Sequence, residues 1–223
     1  MKIIQPVRLS AAEHRALKPE GLVQMKNERV QLYLYGDVGR VFGGFGSQDI
    51  ADALSGKKGP LDIFISSDGG DAHEGVSIFN ILARYPGHKT AYVDGLAASA
   101  ASVILMAADE RIMGVGSQVM VHGAWSGVMG NPAKLREAAD KLELITNSIA
   151  EIYVSRTKQS PEKVDEWVKS EETWFNADEA VANGLADRVD RIQTPGAENK
   201  ITEPKRLSKM DYARLNARIA QKK

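Results

Sequence analysis

The sequence predicts an α/β fold built on a largely parallel sheet, and three observations predict it. Residues 61–66 (LDIFIS) read as a strand that runs into the turn Ser67-Asp68-Gly69-Gly70-Asp71 and then into an amphipathic helix over 74–85, where Val76, Phe79, Ile81 and Leu82 recur at helical spacing. The same plan repeats over 88–108, with the strand-forming run HKTAYVD, then Gly95, then an apolar segment rich in alanine. Finally, Asn131-Pro132 supplies a cap and a first-turn proline for a long helix, along which Leu135, Ala138, Leu142, Ile145, Ile149 and Ile152 keep the i, i+3, i+4, i+7 pattern. Successive strand-to-helix units need right-handed crossovers, which place both turns at one edge of the sheet and bring Gly69-Gly70 close to Ser99.

Residues 1–28 mix charges with Pro6 and Pro19 without a period and read as an N-terminal arm. The alternating VQLYLY of 30–35 is a first strand, ended by Gly36. The glycine-rich stretch 39–47 (GRVFGGFGS) lacks the Gly-Lys-Ser/Thr ending of a phosphate loop and reads as a flexible loop. A short helix over 47–54 follows, capped by Ser47 with Asp49 in its first turn. Within 88–108, the strand is expected to leave at Gly95, with Ser99 at or near a helix N-terminus. Residues 111–114 and 118–122 read as short strands, 160–170 and 177–183 as helices, the latter stopped by Gly184, and 186–192 as a last strand. From Arg191 to Lys223 there are nine basic residues against three acidic ones, so 193–223 reads as a basic tail.

Composition narrows the function classes. The 223 residues are enough for one good core, and 29 basic residues balance 29 acidic ones, which gives no reason to expect nucleic acid as a partner. Cysteine is absent, which removes disulfides, thiolate metal sites and cysteine nucleophiles together. Neither an apolar run long enough to span a bilayer nor the apolar core of a secretory signal is found, so no membrane partner is expected and the chain is expected in the cytoplasm.

A serine at a helix entry can be a nucleophile: unsatisfied N–H groups and the positive end of the helix dipole there favour a developing oxyanion. Ser99 fits that position, and a buried helix of small residues packed closely fits it as well. A nucleophilic serine needs a histidine as base. Of His14, His73, His88 and His122, the last ends an apolar strand and precedes Gly123, which clears space beside a cleft. Asp71, His73 and Glu74 crowd one turn, but nothing of the HExxH type accompanies them, and neither a metal nor another cofactor is expected.

The ordered set Asp68-Gly69-Gly70, Gly95-Leu96-Ala97-Ala98-Ser99, Met120-Val121-His122, Glu172-Thr173-Trp174, Glu179-Ala180-Val181 and Gly184-Leu185-Ala186-Asp187 resembles the ClpP-type serine peptidases over about residues 30–192. The likeness is closer to the phage and prophage head maturation proteases, which show an SxGGD turn, an AASAAS segment and an ETW stretch. The resemblance implies a ClpP/crotonase-like fold of repeated β-β-α units in a superhelical spiral, occupying 29–192. It implies Ser99 as nucleophile and His122 as base. Where the bacterial Clp subunit carries an aspartate this chain has Glu172, the implied triad acid, with Glu171 as fallback. It further implies an oxyanion hole from the N–H groups of Gly70 and Ala100. The implied assembly is a homo-oligomeric ring, stacked in pairs through the helix that begins at Pro132. The implied substrate is peptide or protein, capsid or scaffold proteins of a phage on the closer likeness. Three alternatives stand beside that reading: the proteolytic subunit of an ATP-dependent machine, a crotonase-type acyl-CoA enzyme, and a catalytically silent scaffold ring.

Overall fold

A computed structural model of the chain describes residues 22–191. The chain divides between Arg191 and Ile192, so the basic tail lies outside the described residues, as do His14 and the first 21 residues of the expected arm.

Eight strands form one sheet among the described residues: β1 (Val23–Lys26), β2 (Arg29–Tyr35), β3 (Leu61–Ser67), β4 (Lys89–Ala98), β5 (Glu110–Gly114), β6 (Gln118–Val121), β7 (Thr173–Asn176) and β8 (Arg188–Asp190). The path β1-β2-β3-β4-β5-β8 is parallel from β2 onward, while β6 pairs in parallel with β4 and antiparallel with β7. The helices are α1 (Ser47–Leu54), α2 (Ala72–Ala83), α3 (Ala100–Leu105), α4 (Pro132–Thr157), α5 (Pro161–Lys169) and α6 (Ala177–Ala182).

The core follows from the alternation of β2 and the near-continuous apolar run of β3. Val30, Leu32 and Leu34 face inward with Leu61, Ile63 and Ile65, against Ile50 of α1, Ile78 and Leu82 of α2, and Val103 to Leu105 of α3. Each fully buried Leu or Ile contributes about 1.5–3 kcal/mol relative to exposure. On the other face Tyr33, Phe64 and Tyr92 stack in a cross-strand row, with centroids 4.9 and 5.2 Å apart. The caps are those the sequence shows: Asn131, Ser160 and Asn176 each accept a backbone N–H from the first turn of α4, α5 and α6.

Four expectations need correction. The arm does not extend to residue 28, because Val23–Lys26 forms β1, which pairs with β2 across Asn27 and Glu28, both at positive φ. Such a tight turn sets strand register from backbone twist, which a composition reading does not register. Residues 39–47 are anchored rather than flexible: Val38 bridges both Phe45 and Gly70, and Arg40 pairs with Asp49. The N-cap of α1 is Gly46, not Ser47, and the Asp49 carboxylate accepts the Gly46 N–H at 2.9 Å. Gly95, lastly, is not a strand exit. Strand β4 continues to Ala98, because it changes partner there: Thr90 to Val93 pair with β5, and Leu96 to Ala98 pair with β6. Asp94 and Gly95 sit at the switch, and the register against β3 shifts at the same level.

The expected stripe on α4 is only partly buried. Its C-terminal half packs through Ile149, Tyr153 and Thr157, whereas Leu135 and Leu144 on its N-terminal half are exposed. The helix therefore projects beyond its own core.

Candidate active site

The change of strand partner sets up the site. Ser99 lies between the last residue of β4 and the first of α3, with φ 52° and ψ −124°. That conformation is costly for a residue with a Cβ, and it persists because both flanks are held: the Ser99 N–H donates to the Met120 carbonyl at 2.9 Å, and the Ser99 carbonyl accepts from the first turn of α3. The result is a sharp strand-to-helix elbow that lifts the hydroxyl clear of the sheet.

His122 directly follows β6, the strand hydrogen-bonded to the end of β4. That pairing brings its Nε2 to 2.7 Å from Ser99 Oγ. Gly123 is required by packing, since a Cβ there would lie 2.6 Å from the Val168 carbonyl oxygen of α5. The adjacent Ala124 N–H donates to Thr146 Oγ1 on α4, which fixes the chain beyond the histidine. Burial holds the His122 pKa below the ordinary histidine value, with the negative charge of Glu172 working in the opposite direction. The imidazole is thus neutral at pH 7 and able to accept a proton.

Glu172 is exposed, lies just before β7, and lines the same cleft as Ser99 and His122. Its carboxylate accepts the Trp174 indole N–H at 2.8 Å, and among the described residues it makes no hydrogen bond with His122. Glu171 is exposed and is absent from the cleft lining. Strand β7, which carries the chain past both glutamates, is missing from the sequence reading, although its Thr-Trp-Phe run has the composition of a strand.

The two glycines of the turn after β3 are there for close approach. A Cβ on Gly69 would sit 2.6 Å from the Ser99 Cβ and 3.0 Å from the Ala100 nitrogen; one on Gly70, whose φ is 147°, would sit 2.1 Å from the Val38 carbonyl oxygen. Val38 bonds to the neighbours, donating to the Gly69 carbonyl and accepting from the Asp71 N–H, so the bridge leaves the exposed Gly70 N–H unused. Ala100 is the first residue of α3, and its N–H belongs to the set that has no intrahelical partner. Ser99, His122, Gly70, Ala100 and Glu172 all line one cleft of about 870 Å³, walled on the far side by Leu142 and Ile145 of α4.

His73 also lines this cleft, whereas His88 lies elsewhere, 3.8 Å from Asp109. Among the described residues no group of three His, Asp or Glu is placed to hold a metal ion, and no helix is long and apolar enough to cross a membrane. One feature had no sequence signal beyond Ser102 being a turn past Ser99. Ser102 is fully buried and its Oγ lies 2.7 Å from the Tyr153 hydroxyl of α4.

The fold is that of ClpP. ClpP1 of Listeria monocytogenes, solved as a point mutant, matches with a TM-score of 0.63 at 20% identity, over 73% of this chain and 92% of that one. The family is shown by sequence: residues 50–193 match the Clp protease family, and the chain belongs to it, which makes it a serine-type peptidase by family. Similar curated proteins are the ATP-dependent Clp protease proteolytic subunit 2 of Treponema denticola, 33% identical over 142 residues (63% of this chain, 70% of that one), and proteolytic subunit 3 of Streptomyces coelicolor, 28% identical over 131 residues (58% and 60%). The matches therefore span about two thirds of the relatives' length.

Proposed function

We propose that this chain is an endopeptidase in which Ser99 is the nucleophile, His122 the general base and then acid, Glu172 the carboxylate that steadies the imidazole, and the Gly70 and Ala100 N–H groups the oxyanion donors. The observation that carries the reading is the 2.7 Å contact from His122 Nε2 to Ser99 Oγ at a strained elbow facing the cleft. His122 Nε2 takes the hydroxyl proton as Ser99 Oγ bonds to the peptide carbonyl carbon, and the oxyanion points at the two free N–H groups. The proton then passes to the leaving amine, the C–N bond breaks, and the acyl-enzyme is released by water deprotonated at the same nitrogen. A carboxylate beside Nδ1 favours the tautomer in which Nε2 is free to accept. Glu172, near enough for its charge to act on the imidazole, has the right sign for that task.

For biological setting, the reading is head maturation: processing of phage capsid or scaffold proteins by a cytoplasmic homo-oligomeric ring, stacked in pairs. It is supported by the SxGGD turn at Ser67 to Asp71, the AASAAS segment from Ala97 to Ser102, the glutamate at 172 and the projecting helix α4. A second reading, the proteolytic subunit of an ATP-dependent protease, is favoured by the names of the curated relatives.

A fluorophosphonate probe tests the site. Wild type is expected to label at Ser99, and Ser99→Ala to lose all labelling while keeping its fold; labelling that persists in Ser99→Ala would overturn the assignment. Glu172→Ala is expected to lower kcat by about 10²–10⁴. Glu172→Gln removes the charge that raises the His122 pKa, so the acid limb of its residual activity moves to lower pH. A Glu172→Gln profile superimposable on wild type excludes Glu172 as the acid.

A further inference from the structure

We infer that Tyr153, on the long helix α4, is a positioning residue that aims the Ala100 oxyanion donor through Ser102. This rests on the active-site reading above. The Ser102 hydroxyl has one proton, and its Oγ lies 2.6 Å from the Ser99 carbonyl oxygen, which can only accept. That proton is therefore committed to the carbonyl. The 2.7 Å contact with Tyr153 must then be donated by the tyrosine, so the chain of bonds runs from Tyr153 O–H to Ser102 Oγ, and from Ser102 O–H to the Ser99 carbonyl. Both side chains are sealed from solvent, at 0% and 1% exposure, so water does not substitute for either partner.

The carbonyl at the end of this chain belongs to the same peptide unit as the Ala100 N–H. That unit is planar and trans, so its C=O and N–H point in opposite directions, and a clamp on one sets the aim of the other. The Ser99 carbonyl is clamped by the Ser102 hydroxyl together with the Ser102 and Val103 N–H groups, at 3.0 and 3.4 Å. Two N–H bonds of ordinary to long length in a six-residue helix hold the plane loosely, and the short hydroxyl bond tightens it. An elbow at φ 52° has reason to need this, because relaxation of Ser99 would swing the plane and turn the donor away from the cleft. Tyr153 belongs to α4, so its hydroxyl ties the projecting helix to the candidate oxyanion site.

The test compares a fluorogenic peptide with a peptide aldehyde, whose carbonyl adds the Ser99 oxygen and becomes an oxyanion as the serine proton passes to His122. Tyr153→Phe is expected to lower kcat and to weaken aldehyde binding by the same factor, about ten- to a hundredfold, with KM within about twofold of wild type. Ser102→Ala should do the same, and the double variant should lose no more than the larger single effect, as for residues acting in series. A merely structural role would lower the melting temperature without weakening the aldehyde relative to KM, and that outcome overturns the proposal, as do kcat and aldehyde affinity near wild type in both variants. Should Tyr153→Phe not fold, Ser102→Ala decides on the same readouts. Wild-type protein that fluorophosphonate does not label at Ser99 overturns the active-site reading itself, a result independent of either variant.

Discussion

Replacement of His122 by alanine is expected to lower kcat on a peptide substrate by on the order of 10⁶, with KM little changed and the fold intact. The size of the effect follows from the chemistry. Without an imidazole 2.7 Å from Oγ, the serine must be deprotonated by water, and the leaving amine must depart without an acid. Fluorophosphonate labelling of Ser99 should fall with it, since the same proton must leave. In wild type the pH profile carries the signature of this group. Burial depresses the His122 pKa, so the neutral, active form persists below the ordinary histidine value of about 6.5, and kcat/KM should fall only at pH values below that. A kcat for His122→Ala within about tenfold of wild type, or an acid limb above pH ~6.5, would contradict the assignment.

Gly70→Ala should also lower activity sharply, though by less than loss of the base, for a reason that lies entirely in the backbone. A Cβ at this φ of 147° would lie 2.1 Å from the Val38 carbonyl oxygen, so the turn must move. Moving it takes the Gly70 N–H out of line, and loss of one oxyanion donor costs about 10²–10³ in kcat. Gly116→Ala is the control: its φ of 80° is also in the left-handed region, but nothing lies within 4 Å of the added methyl and the turn between β5 and β6 is outside the cleft. It should cost about 1–2 kcal/mol of stability and leave kcat unchanged. Peptide hydrolysis and thermal unfolding on both variants separate the two effects. Full activity in Gly70→Ala would show that this N–H is not a donor.

Much of the architecture is legible in the residues because it depends on local signals. Asn131-Pro132, Ser160-Pro161 and Gly184 mark helix ends through side-chain caps and backbone conformation, and each does so where the chain folds that way. The strands β2 and β3 announce themselves by β-branched and aromatic alternation. Gly95 misleads for an equally physical reason. A glycine after a strand-forming run has the same local appearance whether the chain leaves the sheet or exchanges one neighbouring strand for another, and here the second neighbour, β6, comes from more than 20 residues downstream. The strand β1 and the anchoring of the glycine-rich loop are hidden likewise, because their partners are set by pairing across the fold.

By itself the sequence determined the chemical inventory of the candidate site and the order in which the chain delivers it: two glycines after a strand, then a serine, a histidine and a glutamate. Only the tertiary structure decided that β6 lies beside the last residues of β4, which places an imidazole against the serine hydroxyl. It alone decided that Glu172 bonds to Trp174 while lining the same cleft as His122. Tyr153 is the extreme case, a residue of the apolar face of a distant helix whose hydroxyl meets Ser102 across 51 positions of chain. Sequence spacing encodes which groups share a helix face or a turn, but the approach of two hydroxyls from separate elements is fixed by packing, to which no local pattern corresponds.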